Sequence, residues 1–357
     1  MDVVLAAAVI TLVAIGIVMV LSASYTRALV QFGDPYHFFK RQLLYTVVAG
    51  SLAAAVMRLD LRHLRELAVP LVLLGYALLA VVLAVGQEIG GARRWIALPF
   101  VNLQPSELAK VACINFAAAW GADRADLMGR FWKGPAVPLG AAAVAFALIL
   151  LEPDFGTAVM LMAVTVAVLV AAGMRLDHLV ATGLLALPVM GLLIWLEPYR
   201  LARLMTFVDP WADPTGRGWS VIQSLLAIGS GGLFGLGLGQ SRQKFAYLPE
   251  HHTDFIFAIL AEELGLVGAL SVLALFVLLA WRGYRVALAL EDRYEQLLAC
   301  GMATLVVGQA LLNIGVVSAT LPVTGIPLPF VSYGGSSLVT SMAAVGVLLN
   351  LSRRVTV

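Results

Sequence analysis

Asp254 stands at the mouth of a long hydrophobic run, in the string LPEHHTDFIFAILAEELGLVG. A carboxylate there is a proton acceptor, and a helix dipole with nearby cations is expected to hold it ionised. Glu262 and Glu263 follow eight and nine residues later, about 12 Å further along a helix. Acids inside a membrane need partners, so three on one helix point to a role beyond stability. The plainer reading of Asp254 alone is a carboxylate complementing the helix dipole. Just upstream lies the longest polar insertion, residues 197–253, with five Lys or Arg. Its last two, Arg242 and Lys244, precede His251 and His252. Adjacent histidines diverge and no other His or Cys offers an obvious partner, so zinc is not expected.

Three further segments carry unusual chemistry. In GARRWIALPFVNLQPSELAK, residues 91–110, Arg93 and Arg94 present two guanidiniums suited to a diphosphate, and Trp95 is an interfacial anchor. Ser106 can cap a helix, and Glu107 and Lys110 share one helical face. A membrane anchor with an intrahelical ion pair explains the same residues without function. In EPDFGT, Glu152 and Asp154 could accept outer-face cations or hold a divalent ion, although a charged turn is the commoner use of such residues. The run LPVTGIPLPFVSYGGSS, residues 321–337, has three prolines and three glycines and cannot form a continuous helix. Irregular backbone at membrane depth survives only in a protein interior or along a wet cavity. A re-entrant element facing Asp254 is expected, with Ser332 and Ser336 supplying hydroxyls and Gly334 and Gly335 free amides.

The elements that must position these residues are membrane helices. Hydrophobic residues make up 61% of the 357 and charged residues 12%, which excludes a soluble globular domain. A net charge of +2 is too small to suggest nucleic acid as a partner. Cys113 and Cys300 sit in apolar runs and read as small buried hydrophobes. The first run is uncharged and long enough to span, so no cleavable signal is expected. About ten spans emerge: 3–23, 41–57, 67–86, 107–120, 135–151, 155–174, 177–196, 254–281, 294–318 and 336–352. The expected fold is an all-α polytopic membrane protein, one domain over 1–357. It has a long extracytoplasmic loop at about 197–253 and a re-entrant segment before the last helix. Residues 218–241 read as a surface helix and a tight, Gly-rich loop.

Of the 23 Lys and Arg, five lie in the insertion. Twelve fall in one set of loops, among them Arg58, Arg62, Arg65, Arg282 and Arg354, and six in the other. The positive-inside rule then puts both termini in the cytoplasm and Asp254 outside.

Together the strings RRWI…QPSELAK, EPDFGTA, DPWADPTGRG…QS, GSGGLFGLGLG, LPEHHTDFIFAILAEELGLVG and LPVTGIPLPFVSYGGSS resemble the SEDS family, the RodA/FtsW/SpoVE group, along the whole chain. DPWADP, SRQK and GIVMVLSAS look nearer the FtsW division branch than RodA. The chain departs in having Glu152 where the family turn usually begins with Gln, and Trp219 where Tyr is common. The resemblance implies a ten-span peptidoglycan glycosyltransferase of the bacterial cytoplasmic membrane that polymerises lipid II at the outer face. It implies a class B penicillin-binding protein, a single-span transpeptidase, as partner, alongside other divisome or elongasome membrane proteins. The essential aspartate of the family's HTDFIF motif falls on Asp254. As base, Asp254 would activate the acceptor 4-hydroxyl while undecaprenyl diphosphate leaves. Arg93, Arg94, Lys110, Arg242 and Lys244 are the candidate diphosphate clamp, with His252 beside them. Glu107, Glu152 and Asp154 would position these cations or recruit a divalent ion, magnesium or manganese; no cofactor is otherwise implied. The competing classes are a flippase for the lipid-linked precursor and a non-catalytic scaffold of the synthase. Interruptions concentrated at the outer face and the lack of an evident repeat between halves favour the enzyme.

Overall fold

The computed structural model describes residues 1–89, 92–97, 102–245 and 248–355. Its helices are α1 (Val3–Phe32), α2 (His37–Val56), α3 (Leu61–Glu66), α4 (Ala68–Val85), α5 (Pro105–Asp123), α6 (Ala136–Leu151), α7 (Phe155–Ala171), α8 (Leu176–Trp195), α9 (Pro198–Val208), α10 (Trp219–Ser230), α11 (Ile256–Ala289), α12 (Arg293–Val317) and α13 (Gly335–Leu351). Three short strands, β1 (Gln87–Ile89), β2 (Ala92–Ala97) and β3 (Asn102–Leu103), form an antiparallel sheet that periodicity does not disclose. Residues 91 and 98–101 of the Arg-rich segment lie outside the described residues.

Among the described residues five helices, α1, α4, α8, α11 and α12, are long and apolar enough to cross a bilayer, while α6, α7 and α13 are apolar but shorter. Local chemistry sets the helix ends. Asp2 caps α1 by accepting from the Leu5 amide, and Gly33 ends it in the left-handed region. Asp154 starts α7 through the Thr157 amide, and Asp292 starts α12 through Glu295.

Packing centres on α12 and α13, which are buried over most of their length. Helix α11 runs along α1 and α12, α13 along α2, and α5 lies among α4, α7 and α12. By contrast, α8 buries no residue, and its main helix neighbours are α7 and α9. An all-round apolar helix of this kind is solvated by lipid.

The bundle has two chemically distinct ends. At one, Arg62, Arg65, Asp123, Glu295 and Arg354 share a cavity, so loops assigned to one side by charge do meet. At the other lie the strands, the 152–154 turn, α9, α10 and the irregular segment 318–334.

The long insertion is tied down on α11. Gly265, at φ +69°, breaks the helical backbone of α11, and the Gly-rich turn docks there. Leu236 and Gly237 amides donate to the Glu262 and Glu263 carbonyls, and the Leu266 amide returns to Gly232. A methyl on Gly235 would overlap the Glu263 carbonyl, so glycine is what lets the two backbones meet.

Candidate active site

Asp254 is not the cap of α11. The helix starts at Ile256 after a Phe255 cap, and Asp254 sits in the preceding turn. That turn is fixed by main-chain bonds rather than by the carboxylate. Asn313 Nδ2 donates to the Asp254 carbonyl at 2.7 Å and to the Ile326 carbonyl at 2.8 Å. Ser332 Oγ donates to the Thr253 carbonyl at 2.6 Å, and the Tyr333 amide to the His252 carbonyl at 3.0 Å. The irregular segment does therefore face Asp254. Gly325 has φ +78°, and a methyl built on it would sit 3.5 Å from Asp254 Oδ2. The prolines deny this segment helical hydrogen bonds, and buried side chains from α12 satisfy its carbonyls instead.

The Asp254 carboxylate, freed from structural duty, opens into a cavity of about 300 Å³. Tyr199, Arg203, Thr206, Arg217, Ser220, Glu250, Phe255 and Val323 also line it. A second, mainly apolar cavity of about 270 Å³ adjoins, sharing Tyr199, Arg203 and Val323 and adding Leu150, Phe155, Ile194, Arg200 and Leu204. Arg203 stands where the two meet. One guanidinium nitrogen donates to the Val323 carbonyl at 3.0 Å, and the group lies 4.4 Å from the Tyr199 ring centre.

Electrostatics corrects one expectation. Burial, reinforced by the Glu250 carboxylate, pushes the Asp254 pKa up to about 7, while Arg203 and Arg94 hold it down and Asp154 adds to the rise. The group is therefore near half-ionised at neutral pH rather than held fully charged. A base poised there is well matched to proton transfer.

The expected clamp is dispersed. Lys110, 1% exposed, pairs with Glu107 at 2.8 Å and donates to Gln309 Oε1 at 3.1 Å. Gln309 in turn donates to Pro327 O and Ser337 Oγ. The pair braces the irregular segment from beneath. Lys244, 5% exposed, pairs with Glu263 at 3.0 Å, with the Gly239 carbonyl and Ser22 also in reach. Glu262 accepts from Ser241 Oγ and from the Arg242 and Gln243 amides. Glu262 and Glu263 thus hold the insertion in place, a structural use that answers for two of the three acids. Arg242 is exposed and Arg93 pairs with Glu88 on the hairpin; neither lines the Asp254 cavity.

Arg94 does reach the site's edge. Its Nε donates to the Glu152 carbonyl at 2.9 Å, another nitrogen to the Pro153 carbonyl, and Asp154 lies 3.9 Å away. Trp95 is half-buried beside it, across from Gln87. Among the described residues no group of three or more His, Cys, Asp or Glu gathers to hold a metal. His252 is wedged among Phe38, His251 and Tyr333, and burial pushes it down to about 3, so it is a neutral packing ring. Ser336 Oγ accepts from the Gln104 amide and donates to the Asn102 carbonyl, fastening the strands to α13. Gly334 caps α13, and Gly335 packs on the Tyr45 ring.

Sequence reasoning missed Arg200, Arg203, Arg217 and Glu250, although all lie in the insertion whose cations it counted. The available signal was the strongly amphipathic PYRLARLMTFV, which sets Arg200 and Arg203 three apart on one helix face.

Comparison with known proteins gives a consistent set of similarities. The family model for the cell cycle protein FTSW_RODA_SPOVE matches residues 2–357. The stage V sporulation protein E of Bacillus subtilis is 44% identical over 344 residues, 96% of this chain and 94% of that one. The "Probable peptidoglycan glycosyltransferase FtsW" of Geobacter sp. strain M18 is 44% identical over 341 residues, covering 95% and 93%. Among solved structures, a chain from a peptidoglycan synthase complex that coordinates polymerization and crosslinking superposes with TM-score 0.83 at 34% identity, covering 99% and 98%. The rod shape determining protein RodA of Thermus thermophilus does so with TM-score 0.72 at 31% identity, covering 100% and 98%.

Proposed function

The chain belongs to the FtsW, RodA and SpoVE family of cell cycle proteins, and on that premise we propose that it is a membrane-embedded peptidoglycan glycosyltransferase that polymerises lipid II with Asp254 as general base. The observation that carries this reading is the Asp254 carboxylate opening into a cavity that also holds Arg217 and Glu250 and that meets, at Arg203, a second one lined by Leu150, Phe155, Ile194 and Leu204. Lipid II joins a polyprenyl tail, a diphosphate and a saccharide head in that order. The apolar cavity suits the first prenyl units, Arg203 and Arg200 suit the diphosphate, and the Asp254 cavity suits the sugar.

The acceptor 4-hydroxyl loses its proton to Asp254 as its oxygen attacks the donor's anomeric carbon. The glycosidic bond to the diphosphate breaks, and the departing charge develops beside the guanidiniums. The cavity's other carboxylate, Glu250, is held by Arg27 and the Thr253 hydroxyl, so a single displacement with inversion is expected. Arg94, braced on the 152–154 turn, contributes charge from the edge. The cation asymmetry of the loops favours cytoplasmic termini and an extracytoplasmic site, with ten crossings in all. A class B penicillin-binding protein is the proposed partner, since a chain of like fold is solved within a polymerising and crosslinking complex.

The test is polymerisation of purified lipid II in detergent. Asp254→Asn should lower turnover by roughly 10²–10⁴-fold while melting no lower than the wild type. Undiminished glycan chains from that variant would end the proposal, and a liposome flipping assay would then decide for transport.

A further inference from the structure

Glu152 is an enclosed carboxyl at the edge of the site that the reaction above does not use. It is the residue after α6, its side chain is 0% exposed, and among the described residues neither carboxyl oxygen meets a hydrogen-bond partner. The nearest cation is committed elsewhere: Arg94 gives its donors to the main-chain carbonyls of Glu152 and Pro153. Asp154, two residues on, already occupies the turn's anionic position. It accepts from Gln104 Nε2 and from the Thr157 amide, both at 3.2 Å, and faces Arg94 at 3.9 Å. A second negative charge in this turn would lie buried, unpaired and beside a first. Such a charge is costly, and the neutral acid is the state that burial selects.

We propose that Glu152 serves as a neutral carboxyl, a positioning residue whose uncharged state leaves Arg94 balanced by Asp154 alone and seated on the 152–154 turn. The role rests on the reading of Asp254 as base, because Arg94 is one of the cations that hold the Asp254 proton affinity down. Burial and then Asp154 push Glu152 up to about 8, against the pull of Arg94. The other charged groups on elements around the turn lie on α5, on β2 and in the α9 region, where Glu197 shares a cavity with Pro153. Glu107 and Lys110 of α5 pair with each other, Arg93 of β2 pairs with Glu88, and Arg200 of α9 lies over the Phe155 ring. Arg203 of α9 donates to Val323. A divalent cation on Glu152 and Asp154 is the rival account. It is disfavoured because a guanidinium already faces Asp154 and occupies the turn's carbonyls.

The sign of the pH effect follows from the raised pKa. The group favours folding while protonated, and that advantage is lost as pH rises from the unfolded value of about 4.5 through about 8. The experiment follows thermal unfolding and lipid II polymerisation of the full chain in detergent from pH 5 to 9. Glu152→Gln should melt with the wild type at pH 5 and progressively above it toward pH 9. Wild-type turnover should fall several-fold between pH 8 and 9, and Glu152→Gln should abolish that fall. Glu152→Leu, neutral but without an amide, provides the same melting comparison should the first variant express poorly.

Parallel melting curves at every pH would overturn the proposal. So would a Glu152→Gln variant that melts normally yet is inactive at pH 7, which would require the ionised form. A rise in wild-type melting temperature on adding magnesium or manganese alone, absent in Glu152→Gln, would assign a cation site instead. The melting comparison is independent of the reaction. Its agreement alongside a fully active Asp254→Asn variant would retain the neutral carboxyl and discard the base.

Discussion

The side-chain amide of Asn313 holds the main-chain carbonyl of Asp254 at 2.7 Å, while the same nitrogen holds Ile326 O at 2.8 Å. One buried residue of α12 thus joins the proposed base to the irregular segment, leaving the Asp254 carboxylate free to act. The same link sets the position of the base relative to Gly325 and the cavity wall.

Asn313→Ala should strand two carbonyls, that of Ile326 buried and that of Asp254 partly buried. A loss of about 2–4 kcal/mol is expected from two unsatisfied groups, read as a lower melting temperature in detergent. Turnover should fall further than the folded fraction does, because the Asp254 turn loses its anchor. Activity that merely tracks the folded fraction would assign Asn313 to stability alone.

Polymerisation should rise with pH through about 7 as Asp254 ionises. Glu250→Gln removes a carboxylate that raises the Asp254 pKa, so the rising limb should move to lower pH. Arg203→Ala removes an opposing cation and should move it upward. The linkage has a matching sign in stability. The Asp254 pKa is raised from 3.8, so its favourable contribution is full below about 3.8 and lost as pH climbs through about 7. Asp254→Asn should therefore gain melting temperature over the wild type at pH 8 but not at pH 4.

Arg203→Ala should raise the KM for lipid II about tenfold or more, the loss of one charge-assisted contact. Lys244→Ala should instead act through folding, leaving Glu263 buried without its cation at a cost of about 3–5 kcal/mol. Kinetics with concentration-matched folded protein separates the two. Equal kinetic defects in both variants would restore Lys244 to the clamp.

Gly265→Ala and Gly235→Ala should each reduce the yield of monodisperse protein. Both residues hold positive φ, and an added methyl would run into opposing backbone. A temperature-sensitive loss that spares the α12–α13 core is expected, visible as faster proteolysis within residues 231–245. Uniform protection there would show that the turn tolerates the extra atom.

How much of this was legible depends on the residue. Asp254 stood out because a charge beside a long apolar run is costly and therefore conspicuous. The irregular 318–334 backbone was likewise readable, since Pro322, Pro327 and Pro329 cannot donate helical hydrogen bonds. The strands at 87–103 were not, because they are shorter than any periodic pattern needs. Lys110 had its partner Glu107 in view on the same helix, and burial decided for that pair. Lys244 looked like a ligand for a diphosphate and Arg203 was passed over because a cation's sequence neighbours do not say whether a carboxylate from a distant element will neutralise it.

Composition and hydropathy by themselves determined a helical membrane protein, because lipid leaves backbone polar groups no other partners. Motif order along the chain determined the family and the acid to bet on. Tertiary structure alone decided which charges are spent and which are available. Glu107 with Lys110 and Glu263 with Lys244 become buried internal braces, while Arg203 comes to stand where the Asp254 cavity meets its neighbour. Burial likewise set the Asp254 pKa near 7, since desolvation depends on atoms brought together from distant parts of the chain.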